Sequence, residues 1–215
     1  MTDKQHKADS FTHTVLKSSA CNRSDLRTAL RKRRRALSAD QQVSAGERLC
    51  NILSRRPELT DSQHIAVYIA NDGEINPEAL RDFLWNSGKQ CYLPVVAQGG
   101  SIDLLFIEYL PDTPLVLNRF GIPEPSLQEA SPISLEKLDI VFVPLTGFDE
   151  TGRRLGMGGG FYDRTFAFTR TADKPILIGL AHECQKVASI PVEHWDIAMS
   201  GIATDSRYYS LMLST

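Results

Sequence analysis

The chain has 215 residues, of which 42% are apolar, 23% charged and 8% aromatic, with a formal net charge of −2. These ordinary globular values exclude a mainly disordered chain and suit one large domain or two small ones. No apolar run reaches the roughly 18–20 residues that span a bilayer, and residues 1–10 lack the apolar core of a secretory signal. Cys21, Cys50, Cys91 and Cys184 are far apart with no C-x-x-C, which argues against a disulfide framework or a cysteine zinc site and for a reducing, cytoplasmic setting.

In chain order, residues 1–21 read as a mobile extension and residues 22–215 as one domain. Ser24 is placed to N-cap a helix reaching about Leu37, with Leu26, Ala29, Leu30 and Leu37 as its buried stripe and Arg23, Arg27, Arg31 and Arg34 near another face. Ser38 and Gln41 have the spacing of a capping box, opening a second helix that ends before Pro57. Residues 64–70 form a short apolar run with strand character, followed by a turn at Asn71, Asp72 and Gly73. Asn76 and Pro77 start the next helix, which Gly88 closes. Further strands are predicted at 90–95, 101–108, 138–143 and 175–181. Residues 111–134 hold five prolines and read as a long irregular loop packed over the sheet edge.

Continuous apolar strands alternating with amphipathic helices predict an α/β fold, a mostly parallel sheet covered on both faces. Ligands in such folds sit beyond the carboxyl ends of the strands. The segments after Ala70, Val143 and Ala181 are therefore the places to look for chemistry.

Charge is unevenly spread. Residues 23–35 contain seven basic residues against Asp25, leaving 17 basic and 25 acidic residues elsewhere, a net −8. A basic helix on an acidic body suggests a polyanionic partner, either a nucleotide, a polyglutamate tail or a nucleic acid. The run at 31–35 is also what a solvated helix face looks like, and no aromatic platform for stacking bases adjoins it.

Six of the 14 glycines lie between 147 and 160, after the clearest strand and before a helix predicted from Phe161. Bare backbone N–H groups at such a junction suit phosphate, with Arg153 and Arg154 as possible added donors. The pattern is neither a Walker A loop nor a dinucleotide fingerprint, since Phe161 stands where the latter needs glycine or alanine. Asp163 directly after the glycines either favours the dipole of its helix or shares a Mg²⁺ with a phosphate. Glu74, after a strand and a turn, is either a solvated acid or an acceptor for the N–H groups of a heterocycle. His182 and His194 have no metal spacing and read as structural or peripheral, and Cys184 lacks the setting of an activated thiol.

Together these blocks resemble the 5-formyltetrahydrofolate cyclo-ligase family. The resemblance runs through the Arg23–Arg27 start and the Arg35–Ser38 end of the basic helix, then Ile69 with Gly73, Glu74 and Ile75, then Ile122, Pro123, Glu124 and Pro125. It continues through Gly147, Phe148 and Asp149 into Arg154, Leu155, Gly156, Gly158, Gly160, Tyr162 and Asp163, and closes on Pro191 to Asp196. It implies an αβα three-layer fold similar to the ribose-5-phosphate isomerase and CoA-transferase group, in a monomeric cytoplasmic enzyme without membrane or nucleic-acid partners. The implied reaction is ATP- and Mg²⁺-dependent closure of 5-formyltetrahydrofolate, or its polyglutamates, to 5,10-methenyltetrahydrofolate through a phosphorylated formyl group. By the same resemblance Arg23, Arg27, Arg154, Leu155, Gly156, Met157, Gly158, Gly159, Gly160, Phe161 and Tyr162 meet ATP. Ile69, Glu74, Phe120, Met157 and Phe161 meet the folate, and Asp163 and Asp196 are associated with the metal. Met157 and Gly159 depart from the family pattern, which often has basic residues there. Two rival readings are a phosphate- or RNA-binding module without catalysis, and a paralogue with the same ATP site acting on another formyl or carboxyl substrate.

Overall fold

The structure, a computed structural model, describes residues 22–97, 103–127, 131–170 and 174–211. The expected extension, residues 1–21, lies outside them. Among the described residues five α-helices are present: α1 (Arg23–Arg35), α2 (Ala39–Leu53), α3 (Pro57–Asp61), α4 (Glu78–Asn86) and α5 (Phe161–Thr165).

The N-cap of α1 is Asn22, not Ser24. Asn22 is extended and its side chain accepts from the Asp25 backbone N–H at 2.9 Å, which leaves Ser24 inside the first turn. The helix ends at Arg35, so Leu37 falls beyond it, and Arg34 joins Leu26 and Leu30 on the buried stripe at a spacing of four. The expected capping box of α2 is present, with Ser38 and Gln41 bonding reciprocally. Pro77 N-caps α4, and the Asn76 side chain accepts from the Glu78 N–H.

The described residues also form eleven strands, in chain order β1 (His64–Ala66), β2 (Gln90–Val96), β3 (Leu104–Glu108), β4 (Leu115–Leu117), β5 (Pro123–Pro125), β6 (Ile140–Pro144), β7 (Gly147–Phe148), β8 (Arg154–Leu155), β9 (Ile176–Leu180), β10 (Gly201–Ala203) and β11 (Tyr208–Ser210). Seven of them make one sheet in the order β11-β10-β9-β6-β1-β2-β3. The inner pairings are parallel, and the edge strands β3 and β11 are antiparallel to their neighbours. β10 and β11 escape sequence reading because three residues each, with Gly201 and Ala203 among them, show no periodicity. Residues 111–134 are not wholly irregular either, since β4 and β5 pair as a small antiparallel hairpin.

Alternation along the central strands divides the core. Ile140 and Phe142 face one side with Leu49, Leu80 and Leu84 of α2 and α4. Val141 and Val143 face the other with Leu145, Phe148, Phe166 and Met199. Both faces are covered, as a parallel sheet requires, but the second is covered by the short α5, 3₁₀ turns and loops rather than long helices.

Helix α1 docks separately, through Leu26 and Leu30 against Leu155 and Ile190. A Cβ on Gly147 would come within 2.3 Å of Leu30 Cδ1, so any side chain there would push Leu30 from its place in the α1 contact. That contact brings the arginines of α1 to the carboxyl ends of the sheet strands.

Candidate active site

A cleft of about 640 Å³ opens beyond the carboxyl ends of β1, β2 and β6, where Tyr68, Pro94 and Pro144 line its floor. Its walls are α1, the 154–163 segment, the 118–124 part of the small hairpin, and Trp195 with Asp196. This is the strand-end location that parallel sheets reserve for ligands.

The glycine-rich wall is built by one buried carboxylate. Asp149, at the β7–β8 turn, accepts from the Thr151 N–H and hydroxyl, the Arg153 N–H and the Ile190 N–H at 2.6–3.2 Å. The turn is thereby rigid, and β8 leaves it with alternating side chains. Arg154 enters the cleft, whereas Leu155 turns into the α1 core cluster. Leu155 is thus a packing residue and not a cleft contact. Arg153 is exposed and likewise lies outside the cleft lining.

From Gly156 to Gly160 the backbone lines the cleft with little side-chain cover. Gly158 has φ +100°, a conformation L side chains rarely adopt. Arg27 lies against it, its Cζ 3.5 Å from where a Cβ would stand, and its Nε donates to the Gly156 carbonyl at 2.9 Å. The loop lacks basic residues at Met157 and Gly159, but helix α1 brings a cation onto it from outside.

Two arginine–carboxylate pairs flank that loop. Arg23 grips Asp196 with both terminal nitrogens, at 2.6 and 3.0 Å, and donates to the Pro191 carbonyl. Arg154 pairs with Asp163, which also accepts from the Ile197 N–H. The Nε of Arg154 is buried and has no hydrogen-bond partner among the described residues. Such a donor costs free energy while it stays unpaired.

Of the rest of the basic run, Lys32 and Arg35 are exposed whereas Arg34 is fully buried. Arg31, Arg34 and Arg35 all converge on Asp72, and their guanidinium groups hold its carboxyl down at about 2. They close the C-terminal half of α1 onto the turn that carries Glu74.

Glu74 sits on the floor side of the cleft. Burial pushes its carboxyl up to about 7, against the pull of the Arg34 charge and the Asn71 N–H. Tyr68 and Tyr162 lie nearby, and burial raises both phenols. Ile69 adds an apolar contact, and Phe120 meets Phe161 edge-on at 5.8 Å across the mouth. Phe120, Met157 and Trp195 are each about half exposed there, which leaves aromatic and thioether surface for a flat ligand.

Of the residues expected from sequence, Arg23, Arg27, Ile69, Glu74, Phe120, Arg154, Asp163 and Asp196 share this cleft with every residue from Gly156 to Tyr162. The segment after Ala181 does not. It folds as a 3₁₀ turn over Glu183–Gln185, and the Gln185 amide bonds the Leu145 and Thr146 carbonyls from behind the cleft. Burial pushes the Cys184 thiol up to about 11 and the His182 imidazole down to about 4, so neither is poised for chemistry. Tyr68, Arg31, Asp72 and Trp195 also line the cleft and were not singled out as site residues from sequence. The signals that could have found them are the strand-end position of Tyr68 and the adjacency of Trp195 to Asp196.

Asp163 and Asp196 are the carboxylates beside the glycine loop. Among the described residues no group of three or more histidine, cysteine or acidic side chains could hold a metal unaided. Two carboxylates facing an anion site do fit magnesium arriving with phosphate oxygens, since that ion is commonly held by one or two carboxylates plus phosphate.

A cationic, glycine-lined wall meets an acid-bearing floor at the strand ends of an α/β sheet, where enzymes of this fold class place their ligands. The sequence pattern of the 5-formyltetrahydrofolate cyclo-ligase family matches residues 19–205. A Haemophilus influenzae 5-formyltetrahydrofolate cyclo-ligase is 44% identical over 180 residues, covering 84% of this chain and 96% of that protein. The Escherichia coli K12 enzyme of the same name is 40% identical over 181 residues, covering 84% and 98%. The NMR structure of Aquifex aeolicus 5,10-methenyltetrahydrofolate synthetase superposes with a TM-score of 0.76 at 27% identity, covering 90% of this chain and 94% of that one. The chain belongs to the 5-formyltetrahydrofolate cyclo-ligase family, and is an enzyme of folate metabolism.

Proposed function

We propose that this chain uses ATP to cyclise 5-formyltetrahydrofolate to 5,10-methenyltetrahydrofolate, with release of ADP and phosphate. The observation that carries this reading is the union, in one cleft, of Glu74 with the arginine-flanked glycine loop. Glu74 as carboxylate accepts the amino and ring N–H groups of the pterin, between the Tyr68 and Phe120 sides. The Gly156–Gly160 backbone, Arg27, Arg23 and Arg154 receive the triphosphate.

A formamide oxygen is a poor leaving group, and its transformation explains why both substrates must meet. The formyl oxygen attacks the γ-phosphorus, the bond to ADP breaks, and an iminium phosphate results. The neighbouring folate N10 then attacks the formyl carbon, phosphate departs, and the N10 proton is lost. The protein's part is alignment and charge neutralisation, as in phosphoryl transfer generally. Asp163 and Asp196 would hold Mg²⁺, which neutralises charge on the phosphates when bound. Arg154 and Arg23, released from those carboxylates, would turn to phosphate oxygens.

The reading extends to polyglutamylated folates as substrates and to a cytoplasmic monomer. Cys50, Cys91 and Cys184 are free thiols. No helix among the described residues is long and apolar enough to cross a membrane. An RNA-binding module is disfavoured because Asp72 engages three of the run's arginines, and Glu74, Asp163 and Asp196 set carboxylates in the cleft.

The test is growth of methenyl-folate absorbance with purified protein, 5-formyltetrahydrofolate and Mg-ATP. Growth that needs every component supports the reading. No growth with ATP still bound would point to a different formyl or carboxyl substrate.

A further inference from the structure

We propose that Arg34 is the positioning residue of the heterocycle subsite: its guanidinium orients Glu74 and keeps that carboxyl in the form that accepts N–H donors. The inference rests on the reading of Glu74 given above, and adds a residue outside that reading's contacts.

Arg34 stands where the pattern of α1 calls for an apolar side chain, in line with Leu26 and Leu30, and it is fully buried. An aliphatic residue there would pack against the same neighbours without desolvating a charge, and buried ion pairs seldom surpass such a replacement in stability. A role beyond packing is therefore needed, and the contacts supply one. Nε donates to the Asp72 carbonyl at 2.9 Å, Nη2 to Asp72 Oδ2 at 2.9 Å, and Nη1 to the Leu145 carbonyl at 3.3 Å. Nη2 also lies 3.7 Å from the Met157 sulfur. One side chain thus ties the Glu74 turn, the end of β6 and the glycine loop together.

Towards Glu74 the geometry differs. Nη2 is 3.6 Å from Oε1, near enough for charge attraction and too far for a hydrogen bond. Glu74 Oε2 takes the Asn71 N–H at 3.1 Å. Oε1 is thereby held in place with its lone pairs uncommitted, which is what an acceptor for a ligand requires. The charged and titratable groups facing Glu74 are Arg34 and Arg31 from α1, Asp72 from its own turn, Tyr68 after β1 and Tyr162 of α5. Arg31 and Arg34 both pair with Asp72, and Arg34 is the cation 3.6 Å from Oε1 whose charge most favours the ionised form against burial.

The experiment is carboxyl ¹³C NMR of the full chain, with the Glu74 signal assigned by its loss in Glu74→Gln. It is run on the wild type, on Arg34→Met, and on Arg34→Gln, which keeps a donor for the Leu145 carbonyl should Arg34→Met not fold. The same proteins are titrated with 5-formyltetrahydrofolate from pH 6 to 9. Removing the cation should raise the Glu74 midpoint by about one unit or more, and weaken folate binding roughly fivefold at pH 7, with recovery near pH 9. A lower melting temperature with an unmoved midpoint and an equal loss of affinity at every pH overturns the proposal, leaving Arg34 purely structural. A displaced midpoint in the Arg34 variants, with a wild-type protein that binds no folate, would sustain the Arg34–Glu74 coupling and refute the folate reading instead.

Discussion

Arg27 donates from Nε to the carbonyl oxygen of Gly156 at 2.9 Å, across 129 positions of sequence. The bond fastens the first helix to the first residue of the glycine loop, and the same guanidinium lies on Gly158. Together with the Arg23–Asp196 pair and the packing of Leu26 and Leu30, the bond makes the helix a wall of the cleft. The cations absent at Met157 and Gly159 are in part replaced from it.

Arg27→Ala should therefore impair nucleotide use more than folding. A charge-assisted hydrogen bond contributes about 1.5–3 kcal/mol, so the Michaelis constant for ATP should rise at least tenfold while that for folate changes less than threefold. Steady-state kinetics with each substrate varied in turn checks this. An unchanged ATP constant would place this face of α1 outside the nucleotide site.

Gly158→Ala tests the same contact from the loop side. At φ +100° an L residue is strained by roughly 1–3 kcal/mol, and its methyl group would occupy the space against Arg27. The strained loop should relax by moving, which withdraws its backbone N–H groups from the anion. Isothermal titration with ATP should show at least a tenfold loss. Wild-type affinity would mean that the loop does not bind the phosphates in this conformation.

How much of this was legible in the sequence follows from range. Periodicity located the central strands and most helices, because each is decided by residues a few positions apart. The glycine loop and its following acid stood out for the same reason. Arg34 did not, since its burial depends on Asp72 and Glu74 approaching from another element. Leu155 was named as a nucleotide contact by resemblance, and its packing against α1 was not legible because two residues of β8 offer no pattern from which to tell inward from outward. Trp195 was passed over as a neighbour of Asp196, though one turn carries both to the cleft. The basic run was ambiguous by sequence, because only folding shows that Asp72 takes three of its charges.

Asp163→Asn separates structure from metal use. Arg154 is nearly fully buried, and removing its partner leaves an uncompensated charge, a loss of about 3 kcal/mol that nearby Asp196 lessens. The melting temperature should fall by several degrees. If Asp163 also serves Mg²⁺, turnover should drop by about a hundredfold and the magnesium requirement should rise, with folate binding in the absence of ATP changed less than twofold. Full turnover at ordinary magnesium would remove the metal role and leave only the ion pair.

Glu74 should set function against stability, with a sign that can be worked out. Its carboxyl titrates near 7 in the folded, ligand-free protein against an ordinary value of 4.5. Between those values the folded chain keeps a proton that the unfolded chain has released. This stabilisation is complete below 4.5 and is lost as pH rises through 7, where ionising the buried carboxyl costs on the order of 3 kcal/mol. Glu74→Gln, which cannot ionise, should therefore match the wild type near pH 5 and melt at a higher temperature at pH 8. Its folate affinity should fall at least tenfold at pH 8, because an amide oxygen and NH₂ replace the two acceptors of a carboxylate, while ATP binding stays within twofold. Calorimetry at the two pH values, with titrations of each substrate, checks both halves. A variant less stable than the wild type at pH 8 would show that Glu74 ionises there without penalty, and equal losses for folate and ATP would deny it a place at the heterocycle.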